Sequence, residues 1–201
     1  YEAAGGRLGD ADAGVRGSMS RRPRHPLRIL ESRRLTLVAA TPQLVNADLA
    51  GRSAFTDAIG AEIPENWPPE LFESTAMRVA LDQLRDPAEH GWSIWYLLSR
   101  RRGVPQVLGI CDFKGRPDEC GSVELSYSIL PQHRVQGYAT EAVARLVVWA
   151  FSHQNVSSVA AETMPHMKRS IRVMEKNGFE YSGRGSEQGV VRYVIEKISG
   201  R

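Results

Sequence analysis

"RVQGYATEA", Arg134 to Ala142, lies between an extended segment that ends at Leu130-Pro131 and a run of helical character. The first N–H groups of a helix have no partner within it, and the macrodipole makes that end attractive to anions. Gly137 removes the Cβ that would hold a phosphate at a distance, and small Ala139 lets the next turn approach. Arg134 brings positive charge to the same place. Taken alone, Arg-x-x-Gly-x-Ala describes a tight loop before a helix as well as it describes an anion cradle. The flanking segments have to decide.

Upstream, SVELSYSIL alternates, with Val123, Leu125, Tyr127 and Ile129 on one face and Glu124, Ser126 and Ser128 on the other. WSIWYLLSR and VPQVLGICDF precede it, separated by an Arg-Gly turn and GRPDECG, so the three read as an antiparallel meander. Downstream, Ala139, Val143, Leu146, Val147 and Ala150 form an apolar stripe on a helix running from about Gly137 to His153. VSSVAAETM reads as a strand and KRSIRVMEKNG as a helix closed near Gly178; FEYSGRG and VVRYVIEK read as two more strands.

At the other end, RRLTLVAAT is a strand stopped by Thr41-Pro42, where proline suits a first helical turn. Short helices interrupted near Gly51 follow, then the proline-dense IPENWPPELF and a helix through ELFESTAMRVALDQLRD. The expected order is β-α-α-β-β-β-α-β-α-β-β. Residues 27–201 are expected to form one domain, after a polar, glycine-rich tail over 1–26 that buries too little apolar surface to fold. Within that tail, RGS before Met19 reads as the remnant of an expression tag, so 1–18 are set aside.

The formal charge of +3 is mild, and no basic stripe with interleaved aromatics is visible, which argues against nucleic-acid binding. Apolar runs such as LVVWAF are too short to cross a bilayer. Two cysteines, Cys111 and Cys120, with no secretory pattern, fit free thiols in a cytoplasmic protein. His90 and His166 show no metal-ligand spacing, and RVQGYA lacks the Lys-Ser/Thr of a nucleotide P-loop.

In sequence order, the alternating strand, RVQGYATEA, a further strand and SIRVMEKNGF resemble the Gcn5-related N-acetyltransferase (GNAT) superfamily. Within it the look is that of the RimJ/RimL-type branch, which shows RGxGYATEA followed by SxRVxEKxGF; SRRLTLVAAT resembles that branch's opening strand. The likeness runs from about Arg33 to Lys197. It implies an α/β (α+β) fold: a mixed, mostly antiparallel sheet of six to seven strands, flanked by helices and splayed between the fourth and fifth strands. Acetyl-CoA would lie in the opening as co-substrate, with no metal. Its pyrophosphate would meet Arg134, Val135, Gln136, Gly137, Tyr138 and Ala139, with Thr140 adding a hydroxyl. Its pantetheine arm would pair with the backbone of Ile129 and Leu130, extending the strand.

Acetyl transfer requires an uncharged amine, a donor for the oxyanion and an outlet for the thiolate. The resemblance points to Glu124 as base, on the strand that feeds the splay, with Glu162 as second choice; a salt-bridged strand glutamate is the plain alternative. The tyrosine that often serves the thiolate is replaced by Met174, and an asparagine common before the motif serine is Met167. Ser170 remains as donor, or as a helix N-cap. Glu141 reads as a helix-terminus carboxylate and His133 as a distant proton shuttle. Trp92 and Trp95 read as core, and Trp67, in the proline-rich loop, as a wall of the acceptor pocket.

The expected function is direct transfer from acetyl-CoA to a primary amine, either a protein N-terminus or a small molecule. The rival is a non-catalytic acyl-CoA sensor. A homodimer is also among the expectations.

Overall fold

The chain, described by a computed structural model over residues 27–101 and 103–198, is organised around one sheet. The expected tail over 1–26 lies outside the described residues. In chain order the strands are β1 (Ile29–Glu31), β2 (Leu35–Ala39), β3 (Ile94–Ser99), β4 (Val107–Phe113), β5 (Ser122–Ile129), β6 (Ser158–Thr163), β7 (Glu180–Arg184) and β8 (Val191–Glu196). They lie side by side as β1-β2-β3-β4-β5-β6-β8-β7. The helices are α1 (Pro42–Ala50), α2 (Arg52–Ile59), α3 (Ser74–Gln83), α4 (Tyr138–Phe151) and α5 (Lys168–Lys176).

Helices cover both faces of the sheet, which is why β3 is buried along its whole length and reads as a continuous apolar run. One face carries Leu37, Trp95, Leu97, Cys111 and Phe113 against α4, whose buried stripe includes Ala142, Val143, Leu146 and Ala150. Trp149 on α4 meets Trp92 at 4.6 Å and Trp95 at 5.2 Å between ring centroids. The opposite face carries Val38, Ile94, Tyr96 and Ile110 against Leu44, Phe55, Met77 and Ala80 of α1–α3. Trp92 and Trp95 are thus core residues, as expected.

Among the eight strands of the described residues, only β5 and β6 pair in parallel. Their pairing covers Ser122/Ser158, Val123/Val159 and Glu124/Ala160 and goes no further. Beyond Glu124, β5 stays with β4 through Ile129, while β6 stays with β8 through Thr163. The sheet therefore parts into a V whose vertex is Glu124 and whose arms carry Leu125–Ile129 and Ala161–Thr163.

Two boundaries differ from expectation. The sheet has eight strands because Ile29–Glu31 pairs with Thr36–Val38; three residues are too few for alternation to show in sequence. The splay thus falls between the fifth and sixth strands in chain order. Helix α3 begins at Ser74, later than expected, because Pro68, Pro69 and a left-handed Leu71 (φ 75°) keep the preceding residues out of a helix.

Candidate active site

The loop at the mouth of the V joins β5 to α4 and is braced from the turn between β1 and β2. After a 3₁₀ turn over Pro131–His133, Arg134 is extended, Val135 is left-handed (φ 61°), and Gly137 caps α4 in the left-handed region (φ 81°, ψ 7°). Valine pays for that φ sterically, whereas glycine adopts it freely. No side chain caps α4, and the first main-chain bond into the helix is from the Glu141 N–H to the Gly137 carbonyl at 3.1 Å. The N–H groups of Tyr138, Ala139 and Thr140 precede that bond and face outward.

This loop is held by Arg34. Its backbone N–H and its Nε donate to Glu141 at 2.6 and 2.7 Å, its Nη1 donates to the Gln136 carbonyl at 2.9 Å, and its guanidinium lies 4.7 Å from the ring centroid of Tyr138. Ser32 Oγ donates to Glu141 at 2.8 Å. Burial pushes Glu141 up, but the hydrogen bonds from Arg34 and Ser32 outweigh it and hold the carboxyl below its usual range. Glu141 is a clamp on the cradle, and Tyr138 is a buried anchor beneath it. Gln136 also ties the loop down, donating Nε2 to the Gln132 carbonyl at 3.1 Å.

The edge of β5 has a parity that sequence alone did not supply. Lys114 donates its N–H to the Glu124 carbonyl and Leu130 donates to the Leu108 carbonyl, both at 3.0 Å. Even-numbered positions thus turn their main chain to β4, and Leu125, Tyr127 and Ile129 turn theirs into the gap. Leu130 also accepts from the His133 N–H at 2.9 Å, so both of its main-chain groups are engaged. Of the expected pair, Ile129 turns its main chain into the gap, while Leu130 has its main chain engaged by Leu108 and His133. The Ile129 carbonyl accepts from Arg134 Nε at 2.9 Å, and Arg134 Nη2 lies 3.0 Å from Glu70.

Behind the gap, on the face covered by α4 and α5, Tyr127 Oη donates to the Ser170 carbonyl at 2.9 Å and lies 3.1 Å from Ser170 Oγ. Burial pushes the Tyr127 phenol up to about 12, against the opposing hydrogen bond from Ser170. The N-cap of α5 is Met167, and Ser170 sits within the first turn, which corrects the N-cap alternative for Ser170. Met174 is fully buried among core residues. Sequence reasoning missed Tyr127, which it read only as part of an apolar strand face.

On the opposite face, Glu124 Oε1 pairs with Lys114 Nζ, and Oε2 lies 3.6 Å from Arg192 Nη1. Arg192 also donates to Glu162 at 2.9 Å, and Ser186 donates to Glu162 through both N–H (2.9 Å) and Oγ (2.7 Å). Burial pushes Glu162 up, but these donors hold it below its usual range, which makes it a weak proton acceptor. Trp67 donates Nε1 to Asp48 at 2.7 Å and lines a cavity of about 230 Å³ with Asp48, Ile63, Phe72 and Met77. Tyr96 on β3 donates to the other Asp48 oxygen at 3.1 Å, which places this cavity over β3 and away from the gap. Its loop nevertheless reaches the cradle, through Glu70 and through an Asn66–Gln132 amide pair (2.8 and 3.0 Å).

Cys111 is buried and Cys120 exposed, both as free thiols. Among the described residues no His, Cys, Asp or Glu group is arranged to hold a metal ion, and no helix is long and apolar enough to cross a membrane.

Comparison with known proteins agrees with this architecture. The family model described as an acetyltransferase (GNAT) domain matches residues 34–180. An uncharacterized N-acetyltransferase of Bacillus subtilis, YjdG, is 26% identical over 168 residues, covering 84% of this chain and 99% of the relative. Among solved structures, a GNAT-family acetyltransferase from Bacillus anthracis superimposes with a TM-score of 0.56 at 18% identity, over 84% of this chain and 98% of the other. RimL, a ribosomal L7/L12 alpha-N-protein acetyltransferase crystallised with coenzyme A, gives a TM-score of 0.60 at 15% identity, over 84% and 98%. The domain match spans most of the chain and the V-shaped sheet accompanies it: the chain belongs to the GNAT family of acetyltransferases.

Proposed function

We propose that this protein is a RimJ/RimL-type N-acetyltransferase that moves an acetyl group from acetyl-CoA to a primary amine by direct attack in a ternary complex. One observation carries the reading: β5–β6 pairing ends at Glu124/Ala160, and the edge thus opened runs to the Gly137 cradle. The cradle fits a pyrophosphate, with outward N–H groups over Tyr138–Thr140, no Cβ at Gly137, and Arg134 beside it. The gap-facing groups of Tyr127 and Ile129 fit the amides of a pantetheine arm, as an added strand would.

In this reading a gap-facing N–H of β5 receives the oxyanion of the attacked thioester. Tyr127 and Ser170 serve the leaving sulfur. A phenol held at about 12 stays protonated at neutral pH, so it donates a hydrogen bond to the thiolate and does not surrender its proton. Glu124, at the vertex and with each oxygen engaged by a cation, orients the amine. The loop carrying Trp67 forms the outer wall of the approach.

The test is release of free CoA thiol from acetyl-CoA incubated with pools of peptides, polyamines and aminoglycosides. Release that depends on an amine supports the reading. Protection of the protein by acetyl-CoA against heat, with no amine-dependent release, favours a binding module without transfer.

A further inference from the structure

The amine-acetylation reading leaves one site unassigned, the group that takes the proton from the amine. Glu124 is poorly placed for it, because each of its oxygens is already engaged by a cation, Lys114 or Arg192. One strand further in, Asp112 on β4 stands directly opposite Ser126 of β5, within the part of β5 that has left β6. Cross-strand partners share a face, so Asp112 points to the same side as Ser126 and Glu124, the side covered by α1–α3. It is half-buried, and among the described residues its carboxylate has no hydrogen bond or ion pair.

The geometry points to Asp112 as the proton acceptor of the reaction: a further catalytic residue that receives a proton from the acceptor ammonium beside the vertex of the V. The inference rests on the reading of this chain as an amine acetyltransferase. The amine arrives as R–NH₃⁺ and gives one proton to the Asp112 carboxylate. Its freed electron pair forms the N–C bond to the acetyl carbonyl, and collapse breaks the C–S bond with its electrons leaving on sulfur. The remaining surplus proton on nitrogen neutralises the thiolate, and Asp112 returns its own to solvent. The sum is R–NH₃⁺ and acetyl-CoA giving R–NH–acetyl, CoA thiol and H⁺.

The surroundings suit that task. Burial pushes Asp112 up to about 7; Lys114 pulls it down and Glu124 pushes it up further. These are the charged groups that face it, with Arg192 behind Glu124, while its cross-strand neighbours Ile94 and Ser126 are uncharged. A base near neutrality accepts an ammonium proton with far less uphill cost than an ordinary carboxylate near 4. Lys114 and Glu124 act as positioning residues that set this balance.

The test is Asp112→Asn, an isostere that keeps size and removes the base. With the fastest amine found, we expect kcat/KM to fall by roughly 10²–10⁴-fold. The rise of activity with pH through about 7 should disappear. Affinity for acetyl-CoA should stay within about twofold of wild type, and Asp112→Glu should restore part of the rate together with the pH limb. A second measurement needs no substrate. A carboxyl raised on folding opposes stability increasingly as pH climbs from about 4 to 7, so the variant should melt above wild type at pH 8 and alongside it near pH 4. An intact acid limb in Asp112→Asn, or melting below wild type at pH 8, overturns the assignment. If wild type acetylates no amine at all, it is the transfer reading that fails, and the assignment falls with it.

Discussion

Arg134 donates its Nε to the Ile129 carbonyl at 2.9 Å, and so occupies the gap-facing group nearest the cradle. The same guanidinium lies 3.0 Å from Glu70, on the loop that carries Trp67. The open edge of β5 and the Trp67 loop, proposed to face the donor and the acceptor, therefore meet on a single side chain. For a pantetheine amide to reach Ile129, Arg134 has to turn toward the phosphates, and Glu70 has to release it.

The consequence is a competition that can be measured. Replacing Glu70 with Gln frees Arg134 and should tighten acetyl-CoA binding by about two- to fivefold at low salt, as suits an exposed pair worth roughly 0.2–1 kcal/mol. Arg134→Ala should weaken binding by about 10-fold or more, since a charge-assisted contact is worth roughly 1.5–3 kcal/mol. Isothermal titration at two salt concentrations checks both, and the Glu70 effect should fade at the higher one.

Gly137 makes a steeper demand. At φ 81° a side chain costs about 1–2 kcal/mol, and a Cβ there comes within 3.3 Å of Arg34 Nη2. Gly137→Ala should therefore raise KM for acetyl-CoA by about 10-fold with a smaller change in kcat. Steady-state kinetics with saturating amine separates the two.

Glu141 links the cradle to acid stability. Its folded pKa lies below the unfolded value near ~4.3, so its contribution is fully present above that value and is lost as pH falls through the lower folded one. Glu141→Gln should cost about 1.5 kcal/mol at neutral pH, at the low end for charge-assisted bonds because Arg34 is partly exposed, and should flatten the acid side of the stability curve. Urea melts from pH 3 to 7 give both numbers.

Tyr127 and Ser170 should act on rate and not on affinity. Tyr127→Phe or Ser170→Ala is expected to lower kcat by about 10-fold, one hydrogen bond's worth, while KM for acetyl-CoA stays within about twofold. If either raises KM with kcat unchanged, the pair supports the helix and does not serve the leaving sulfur.

The meander, α4 and the turn before it were legible in sequence because each rests on a local pattern: alternation over Ser122–Ile129, the stripe on Tyr138–Phe151, and a glycine where the chain turns left-handed. What remained hidden depends on partners far along the chain. Arg34 and Glu141 are 107 residues apart, and Tyr127 and Ser170 are 43 apart. The parity that removes Leu130 from the gap is set by hydrogen bonds to β4, which no spacing within β5 reveals. Asp112 did leave a trace, as the lone charge in the otherwise apolar run Val107–Phe113, yet its opposition to Ser126 needed the register. The cations that engage Glu124 come from Lys114, just past β4, and from Arg192 on β8.

Amide hydrogen exchange with and without acetyl-CoA reads directly whether it fills the V between β5 and β6, as proposed. New protection is expected at Tyr127 and Ile129 on the open edge and at Tyr138, Ala139 and Thr140 in the cradle, with Leu130 unchanged because its N–H is already given to Leu108. Protection confined to the cavity around Asp48 and Trp67, with the β5 edge exchanging as freely as before, would contradict it.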